Sequence, residues 1–413
     1  MKTQAVKGMR DILPYEQRLR DSIQSKILEV YQNSGFERIS TPILEDIENL
    51  NKSEGGENLN LIFKVLKRGE KLEKALKSNN PELLSDLGLR YDLTLPLSRY
   101  YAANRELLPF PFKVIQTDRV YRAERPQKGR FREFVQCDID ILGDSSPNAE
   151  VELIDVTARA LLAIGFRDFS VNINDRRVLR SMLETMGFTP DSLDSVCISF
   201  DKLDKIGIDG VKLDLSQKGF PENAIQKLES FLSEGDFSLK NVISHLNDSE
   251  IARDLQYVLT TAQKIGTGNY TVVYNPSLVR GQGYYTGIVF EVSCPEFSGA
   301  IAGGGRYDGM IGKFIGQQIP AVGFSIGFER ICEILIEKKT EIRGQKEKYA
   351  LLYDSSEDFP DVLKKAAELR EAYNVSVIKK HKKIGQQLNQ LEKSGFTHFA
   401  ALENGELRLF GNK

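Results

Sequence analysis

Apolar residues near the start of the chain recur at helical spacing. Between Tyr15 and Ser34 they fall at Leu19, Ile23, Ile27, Val30 and Tyr31, and Gly35 closes the run. This period predicts an amphipathic helix with one buried face. A strand is predicted next, in FERISTPILED. Because Pro42 cannot donate a ladder hydrogen bond, that strand is expected at a sheet edge or at an interface.

Two segments of alternating apolar and polar residues lie between Pro111 and Gly143. FKVIQTDRVYRAE and FREFVQCDIDILG flank the loop RPQKGR, whose Pro126 and Gly129 favour a turn, so the two segments predict a long β-hairpin. Alternation along the second strand gives one mainly polar face, formed by Arg132, Phe134, Gln136, Asp138 and Asp140. A tight hairpin is expected to bring Arg122 and Glu124 beside Arg132 and Gln136.

The pattern then becomes mostly helical from about residue 174 to 265, which predicts an inserted helical domain. Strand-like segments return in NYTVVYN, YYTGIVFEV and PAVGFSIGFERI. The insertion therefore interrupts one predicted sheet domain, whose two parts span residues 1–173 and 266–336. A polar linker at 337–348 precedes the β-α-β-α-β order of a small α/β domain at 349–413.

Composition and charge exclude several classes of protein. The chain has 413 residues, 41% of them hydrophobic and 28% charged, which is typical of a globular protein with two or three domains. Its net charge of -2 means that a nucleic-acid partner would have to bind a local basic surface. The four cysteines are far apart and the chain has only three histidines, so neither a zinc site nor a disulfide framework is predicted. No apolar run approaches the ~18 residues of a membrane span, and a cytoplasmic protein is expected.

Basic residues are dense around the hairpin loop. Within fourteen residues the chain places Arg119, Arg122, Arg125, Lys128, Arg130 and Arg132. One interpretation is a solvated outer face of an antiparallel sheet. The other is an anion site, because the planar fork of arginine suits phosphate and carboxylate groups.

Two glycine-rich segments resemble nucleotide motifs without matching them. LVRGQGYYTG has the spacing GxGxxxG and is followed by a β-rich run, so no helix N-terminus is predicted to hold a pyrophosphate. GGGRYDG, at 303–309, lacks the Lys-Ser/Thr ending of a P-loop. Their glycines are better explained by close approach of the backbone to a small ligand. The nearby Tyr284, Tyr285 and Tyr307 either pack in the sheet or line that ligand's pocket.

Seven segments together resemble the histidyl-tRNA synthetase family of class II aminoacyl-tRNA synthetases, and in the family's order. They are KGMRDILP, TPILE, LRYDLTLPLSRY, VYRAERPQKGRFREFVQCDIDILG, the LVRG and YYTG that flank Gln282 and Gly283, GGGRYDG and GFSIGFERI. The resemblance covers nearly the whole chain. It implies an α+β fold: a class II synthetase antiparallel sheet flanked by helices, with a helical insertion and a small C-terminal anticodon-binding-like α/β domain. It also implies a homodimer that contacts its partner around Pro42.

The resemblance further implies a reaction and a set of site residues. L-Histidine would be activated with ATP and Mg²⁺ and transferred to tRNA-His, without a tightly bound cofactor or a resident metal. The resemblance assigns the histidine site to Asp92, Leu93, Thr94, Arg122, Gln136, Asp140, Arg280, Tyr284 and Tyr285. It assigns the ATP site to Arg122, Glu124, Arg130, Phe134 and Arg330, with Arg280 and Arg122 as the catalytic pair.

The chain departs from the family in two places. It has RGQGYY where most members have RGLDYY, so Gln282 and Gly283 replace a leucine and an acidic residue beside Arg280. Its last domain is shorter than usual, which implies fewer anticodon contacts. The basic run Lys379–Lys383 is either a solvated surface or a contact with the tRNA backbone.

Two other functions are compatible with the same core. One is a non-catalytic paralogue, the regulatory subunit of ATP phosphoribosyltransferase in histidine biosynthesis. That family generally loses the C-terminal domain and the ATP-binding arginines, whereas this chain has both. The other is an enzyme that adenylates histidine or a related amino acid but transfers it to an acceptor other than tRNA.

Overall fold

The computed structural model divides into two compact units, residues 1–340 and 341–413. It describes residues 2–51, 58–127, 129–200, 202–234, 238–244, 246, 249–266, 268–278, 284–338, 346–403 and 406–410. The boundary between the units falls inside the predicted linker 337–348, of which residues 339–345 lie outside the described part. The linker and the other domain limits stay predictions.

The first unit contains most of the helices and strands. Its helices are Pro14–Asn33 (α1), Ile47–Asn51 (α2), Gly69–Lys77 (α3), Thr94–Asn104 (α4), Asn148–Ala163 (α5), Arg176–Met186 (α6), Leu193–Phe200 (α7), Leu203–Gln217 (α8), Glu222–Glu234 (α9), Leu239–Ser244 (α10), Ser249–Ile265 (α11), Gly309–Ile315 (α12) and Phe328–Glu337 (α13). Its strands are Glu37–Arg38 (β1), Leu44–Asp46 (β2), Lys64–Leu66 (β3), Ser85–Leu89 (β4), Phe112–Tyr121 (β5), Glu133–Leu142 (β6), Phe169–Asp175 (β7), Tyr270–Tyr274 (β8), Ile288–Cys294 (β9), Phe297–Arg306 (β10) and Ala321–Gly327 (β11).

Within the described residues, eight of these strands form one sheet in the order β1-β5-β6-β11-β10-β9-β7-β8. Neighbours pair antiparallel except at the two ends, where β1 runs parallel to β5 and β8 runs parallel to β7. A smaller antiparallel sheet has the order β2-β4-β3. The segregated helices and this mainly antiparallel sheet confirm the expected α+β class.

Helix α1 forms where the apolar period predicts it. Pro14 occupies its first turn, and Leu19, Ile23, Ile27 and Tyr31, four residues apart, are all buried. The apolar stripe packs α1 against α5 and α13. Among the described residues, no helix combines the length and the apolar character that a bilayer crossing requires.

The long hairpin is also confirmed, with its register. Val114 pairs with Asp140 and Val120 pairs with Phe134, and the backbone amide of Arg122 donates to the carbonyl of Arg132 at 2.8 Å. Strand β6 pairs with β11 on its other edge, and the residues of its C-terminal half are buried on both faces of the sheet. This burial contradicts a solvated outer face for Asp138 and Asp140, which are each only 5% exposed.

The single strand predicted in FERISTPILED is wrong. The segment forms β1 and β2, two short strands that belong to different sheets, with Pro42 in the stretch between them. Proline removes a donor and restricts the preceding residue, so the ladder cannot run through this position. The expected edge position is confirmed, because β1 ends the large sheet and β2 ends the small one.

The segment predicted as a helical insertion contains helices α6 to α11. Its core residues come from several of these helices, as the burial of Leu183, Val196, Phe200, Val211 and Leu255 shows. Helices α7, α8 and α9 pack in sequence, each against the next. The strands on either side of the insertion, β7 and β8, pair with one another, so the insertion returns the chain to the sheet that it left.

The second unit has a four-stranded sheet among its described residues. Its elements are Lys348–Tyr353 (β12), Phe359–Arg370 (α14), Asn374–Lys379 (β13), Ile384–Lys393 (α15), His398–Glu403 (β14) and Glu406–Leu409 (β15), in the sheet order β13-β12-β14-β15. The predicted β-α-β-α-β order is confirmed, and β15 is an addition. One face of the sheet packs on Val362 and Ala366 of α14, and the other packs on Ile384 and Leu388 of α15.

Arg90 joins three segments of the first unit. Its side chain is fully buried, its Nη1 donates to the Thr41 carbonyl at 2.7 Å, and its Nε donates to the Arg119 carbonyl at 2.9 Å. Its Nη2 pairs with Asp118 at 2.8 Å. The guanidinium therefore connects the segment around Pro42 to the first strand of the hairpin.

Replacing Arg90 by methionine should destabilise the protein strongly. Methionine retains much of the side-chain volume but leaves two backbone carbonyls, one of them buried, and one carboxylate without their donor, a loss of about 3 kcal/mol. The measurement is the free energy of unfolding in urea. The matched control is Arg119→Met in the same region, whose side chain is 63% exposed and should cost less than about 1 kcal/mol. Equal losses in the two variants would contradict the connecting role of Arg90.

Candidate active site

The triplet Asp92, Leu93 and Thr94 lies at the start of α4. Asp92 is buried, and its Oδ1 accepts a hydrogen bond from the backbone amide of Leu95 at 3.3 Å. Gln116 of β5 holds the triplet to the sheet by donating from Nε2 to the Leu93 carbonyl at 2.9 Å. Burial raises the pKa of Asp92, an effect opposed by the amide of Leu95 and by the charge of Arg122. The carboxylate is thus fixed at a helix N-terminus, facing the hairpin.

Asp140 lies at the back of the same region. The hydroxyl of Tyr307 donates to its Oδ1 at 2.6 Å. Gly323 of β11 lies so close that an added Cβ would be 1.9 Å from Asp140 Oδ1, so only glycine leaves room for this carboxyl group. Burial raises the pKa of Asp140 to about 7, although the Tyr307 hydrogen bond opposes the shift.

Three tyrosines form the aromatic wall. The ring of Tyr284 lies 4.9 Å from that of Tyr285 and 6.1 Å from that of Tyr307. Tyr284 is buried and its hydroxyl is hydrogen-bonded to Thr94. The tyrosines therefore join Thr94 of α4 to Asp140 of β6, and their polar ends supply directed hydrogen bonds in a mostly apolar wall.

Gln136 and Asp138 occupy the middle of β6. The Gln136 Nε2 donates to Ser325 Oγ at 3.2 Å and to Asp138 Oδ2 at 3.3 Å. Burial raises the pKa of Asp138 well above its usual range, and the nearby Asp140 adds to the effect. The buried carboxyl groups of Asp92, Asp138 and Asp140 thus give this region an acidic lining.

Arg122 links this acidic region to the hairpin loop. Its Nε donates to the Tyr91 carbonyl at 3.0 Å, and its guanidinium carbon lies 5.0 Å from the centre of the Phe134 ring. Its charge opposes the rise in the pKa of both Asp92 and Asp138. Arg122 therefore lies where a cluster of buried carboxyl groups meets a cationic, aromatic surface.

The predicted ATP residues lie on that second surface. Glu124 and Arg130 approach within 3.9 Å across the loop. Gly129, with φ of +69°, brings the loop tip near Phe297, and an added Cβ there would be 3.4 Å from the ring. The guanidinium of Arg330 lies over the same ring at 5.4 Å and donates to the Ala300 carbonyl. Phe297 thus brings the loop tip and Arg330 together.

Two parts of the prediction need correction or remain open. Arg122 and Glu124 lie beside Arg132 as predicted, since the Arg122 amide donates to the Arg132 carbonyl and Arg132 Nε donates to the Glu124 carbonyl. Gln136, in contrast, lies opposite Asp118 and not beside Arg122. The backbone amide of Arg132 also donates to the Gly8 carbonyl. Arg132 therefore attaches the N-terminal segment to the loop. Arg280, with Gln282 and Gly283, lies outside the described residues.

Several residues of the site escaped the sequence analysis. Gln116 and Ser325 lie on strands whose neighbours only the fold reveals, and Glu329 forms a two-pronged ion pair with Arg20 of α1, at 2.6 and 2.7 Å. The Glu329 Oε1 also accepts from the backbone amide of Val135 at 3.3 Å, so this pair fixes α13 against β6. Asp138 could have been found from the sequence, because the two aspartates of CDID alternate and so lie on the same face of the strand.

No group of three or more His, Cys, Asp or Glu suited to hold a metal occurs in the described part of the chain.

Replacing Asp140 by asparagine should stabilise the ligand-free protein at alkaline pH. With a folded pKa near 7 and an ordinary value of 3.8, the folded state binds more protons than the unfolded state between those values. Asp140 therefore lowers stability as pH rises from about 4 through about 7. Asparagine removes this charge, so Asp140→Asn should gain on the order of 2 kcal/mol relative to the wild type at pH 8.

The measurement is the free energy of unfolding of both proteins at pH 5 and pH 8. The gain should be small at pH 5, where the wild-type carboxyl is protonated. Asp155→Asn, at the partly exposed carboxylate of an ion pair with Arg159, serves as the control and should show no comparable gain. A gain for Asp140→Asn that is the same at both pH values would contradict the raised pKa.

Comparison with known proteins identifies relatives along nearly the whole chain. The sequence model described as histidyl-tRNA synthetase matches residues 8–331. The histidine–tRNA ligase of Leifsonia xyli subsp. xyli is 39% identical over 411 residues, which cover 96% of this chain and 94% of that protein. The histidine–tRNA ligase of Bacteroides fragilis is 38% identical over 348 residues, or 80% of this chain and 75% of that protein.

Solved structures agree on the fold. A histidyl-tRNA synthetase from Nostoc sp. PCC 7120 superposes with a TM-score of 0.79 at 27% identity, covering 100% of this chain and 97% of that one. A Bacillus halodurans protein described as an ATP phosphoribosyltransferase regulatory subunit/histidyl-tRNA synthetase gives 0.77 at 20% identity over 94% of this chain and 97% of its own, which shows a shared fold only. On the match of residues 8–331 and on its 39% identity to a full-length relative, the chain belongs to the histidyl-tRNA synthetase family.

Proposed function

We propose that the protein is a histidine–tRNA ligase, which activates L-histidine with ATP as histidyl-adenylate and transfers the histidyl group to tRNA-His. The observation that carries the proposal is the position of Arg122, between a cluster of buried carboxyl groups and an arginine-rich, aromatic surface. An amino acid in the pocket and a nucleotide on the surface would meet at this guanidinium.

The pocket suits histidine. Asp92, Thr94 and Gln136 would accept hydrogen bonds from the α-ammonium group. Asp140, which Tyr307 holds at 2.6 Å, would bind an imidazole nitrogen, and Tyr284 and Tyr285 would enclose the ring. A carboxyl whose pKa is near 7 matches the imidazole group in acidity, so a proton can be shared between them at little cost.

The second surface suits ATP. Phe134 would stack on the adenine, Glu124 and Arg130 would position the base and the phosphates, and Arg330 would bind the γ-phosphate. Mg²⁺ would arrive with the ATP phosphates and neutralise part of their charge. The described carboxylates Glu124 and Glu333 near the loop tip are hard oxygen donors of the type that Mg²⁺ accepts.

The reaction would need positioning more than acid–base chemistry. A carboxylate oxygen of histidine attacks the α-phosphorus, the bond from phosphorus to the β-phosphate oxygen breaks, and pyrophosphate leaves. The attacking group is already anionic, so no general base is required. Arg122, and Arg280 by family resemblance, would neutralise the charge that develops on the α-phosphate.

The family resemblance also supports a homodimer, with the segment around Pro42 at the interface, and a cytoplasmic location. Both stay proposals for this chain. Arg90 gives the interface a physical link to the site, because the same side chain contacts Thr41 and the carbonyl of Arg119 on the hairpin.

The regulatory-subunit alternative shares the fold, and the fold alone does not exclude it. The ligase is favoured by the retained arginines: Arg122, Arg130 and Arg330 lie on the surface proposed to bind ATP, and Arg280 is present in the sequence. The curated relatives over most of the chain are likewise named histidine–tRNA ligases. A third possibility is an enzyme that transfers histidine to an acceptor other than tRNA, and a charging assay distinguishes it from the ligase.

The first test is the charging of tRNA-His with labelled histidine and ATP-Mg²⁺, together with histidine-dependent pyrophosphate exchange. Both activities are expected in the wild type. Arg280→Ala should lower both by about 10²-fold or more, because it removes charge stabilisation at the α-phosphate. Arg159→Ala, an exposed arginine of α5 that pairs with Asp155 at 2.9 Å, is the matched control and should retain both.

The three possible functions predict different results. Exchange without charging would favour a non-tRNA acceptor. The absence of both activities, under conditions in which an established synthetase is active, would exclude the ligase and favour the regulatory subunit.

The basic run Lys379–Lys383 allows a test of tRNA contact in the second unit. Lys380 pairs with Glu403 at 2.8 Å, whereas Lys382 and Lys383 are exposed at the start of α15. If they contact the tRNA backbone, Lys382→Ala with Lys383→Ala should raise the KM for tRNA severalfold and reduce its salt dependence.

Pyrophosphate exchange, which needs no tRNA, should be unchanged in that variant. The matched control is Lys364→Ala with Lys365→Ala on α14, where both lysines instead form local ion pairs, with Asp361 and Glu368. Identical KM values for tRNA in the wild type and both variants would indicate that the run Lys379–Lys383 is a solvated surface that does not contact tRNA.

A further inference from the structure

Strand β6 carries a buried carboxyl group to which neither the sequence motifs nor the proposed reaction assigns a role. Asp138 is 5% exposed and lies on the same face of the strand as Gln136 and Asp140. Its direct cross-strand neighbours are Gln116 of β5 and Ser325 of β11. A buried carboxylate costs free energy unless it is hydrogen-bonded or meets a cation, so its presence requires an explanation.

Asp138 forms hydrogen bonds with both Gln136 and Ser325. The Gln136 Nε2 lies 3.3 Å from Asp138 Oδ2, 3.5 Å from Asp138 Oδ1 and 3.2 Å from Ser325 Oγ. These contacts occupy the donor end of the amide. The other end, Gln136 Oε1, is buried and has no hydrogen-bond partner among the described residues.

We propose that Asp138, together with Ser325, is a positioning residue that fixes the orientation of the Gln136 amide, so that Oε1 is presented as an acceptor to the α-ammonium group of the amino-acid substrate. The proposal rests on the proposed function, since it concerns the site that binds histidine. It adds a role for two residues that touch Gln136 and are not themselves expected to touch the substrate.

The orientation follows from the chemistry of the amide group. Glutamine has a donor end and an acceptor end of nearly the same shape, so it can bind in two orientations that differ only in polarity. The ionised form of Asp138, which the Ser325 hydrogen bond and the charge of Arg122 favour, only accepts hydrogen bonds. Turning the amide over would place Oε1 against this carboxylate and lose the Nε2 bonds. Turning would also present a donor to the ammonium group, which has no acceptor. Asp138 therefore selects the one orientation that can bind the substrate.

The charge of Asp138 acts in the same direction. Asp92, Asp138 and Asp140 affect one another electrostatically, and Arg122 is a cation whose charge reaches both Asp92 and Asp138. An ammonium group entering the pocket would offset the repulsion among these carboxylates. The pocket should consequently favour ligands with an α-ammonium group over otherwise similar ligands without one.

The test compares three ligands that differ in one group each. L-Histidine has both an ammonium and a carboxylate group, histamine keeps the ammonium group alone, and 3-(imidazol-4-yl)propionate keeps the carboxylate alone. Their dissociation constants are measured on the full chain by calorimetry or by displacement. Asp138→Asn should weaken histidine and histamine by about tenfold or more, the loss of one charge-assisted buried interaction. It should change the propionate by less than about threefold, because that ligand makes no bond to Gln136 Oε1.

Three further variants separate positioning from a general structural effect. Ser325→Ala removes the second acceptor and should produce a smaller loss with the same ligand dependence, whereas Ser325→Thr keeps the hydroxyl and should restore binding. Asn172→Ala is the matched control, since its Nδ2 donates to Ser293 Oγ at 3.0 Å in a similar cross-strand pair between β7 and β9. It should leave all three ligands unchanged. In pyrophosphate exchange, Asp138→Asn should raise the KM for histidine and leave the KM for ATP unchanged.

Each result has a definite meaning. Equal weakening of all three ligands, or no weakening of any, overturns the positioning role of Asp138. If the wild type binds histidine and Asp138→Asn loses only ammonium ligands, the proposal stands. If the wild type itself does not bind histidine, the proposed function fails and this inference fails with it. Should Asp138→Asn fold poorly, the pair Ser325→Ala and Ser325→Thr gives the same test.

Discussion

The fully buried guanidinium of Arg90 is the interaction on which the geometry of the site depends. It contacts Thr41 near Pro42, the Arg119 carbonyl and Asp118 on the hairpin, and its own carbonyl accepts from the amide of Tyr121 at 2.9 Å. Next to it in sequence, Tyr91 accepts from Arg122, and Asp92 lies at the start of α4. A rigid, multiply bonded guanidinium can hold several chain segments at fixed distances, which a lysine with a single ammonium point charge cannot. The carboxyl group of Asp92 and the guanidinium of Arg122 are thereby held near each other.

Near Arg90 the site contains three carboxyl groups whose burial is unfavourable for folding. Asp92, Asp138 and Asp140 are buried close together, and burial raises the pKa of each. In the ligand-free protein this arrangement lowers stability at neutral pH, because each carboxyl is held away from water. In the proposed function, the same arrangement would be complementary to an amino acid that brings an ammonium group and an imidazole. Binding function and folding stability therefore oppose one another at these positions, as is common where charges are arranged for a ligand.

Sequence reasoning succeeded where a local period decides the structure. Alternation or helical spacing among residues close in sequence predicts helix α1, the hairpin and the β-α-β-α-β order of the second unit. It failed at FERISTPILED, because the segment contributes short strands to two different sheets. It also missed β10, because the glycines of that strand do not show the alternation of apolar and polar residues that predicts a strand. Position 304 of this strand has room only for glycine, because an added Cβ would lie 1.9 Å from the Gly323 carbonyl oxygen. Pairing with β9 and β11, and not propensity, makes this segment a strand.

The sequence by itself determined the α+β class, the family and the residue types of the site, because the order of motifs and the local periodicity can be recognised without knowing the fold. Only the tertiary structure decided which of those residues meet. It placed Gln136 opposite Asp118, gave Arg132 a further contact with the N-terminal segment, and brought Ser325 beside Gln136 across 189 residues of sequence. The physical reason is that hydrogen-bond partners across a sheet are set by register and strand order. These depend on long-range pairing and burial, which a linear pattern does not contain.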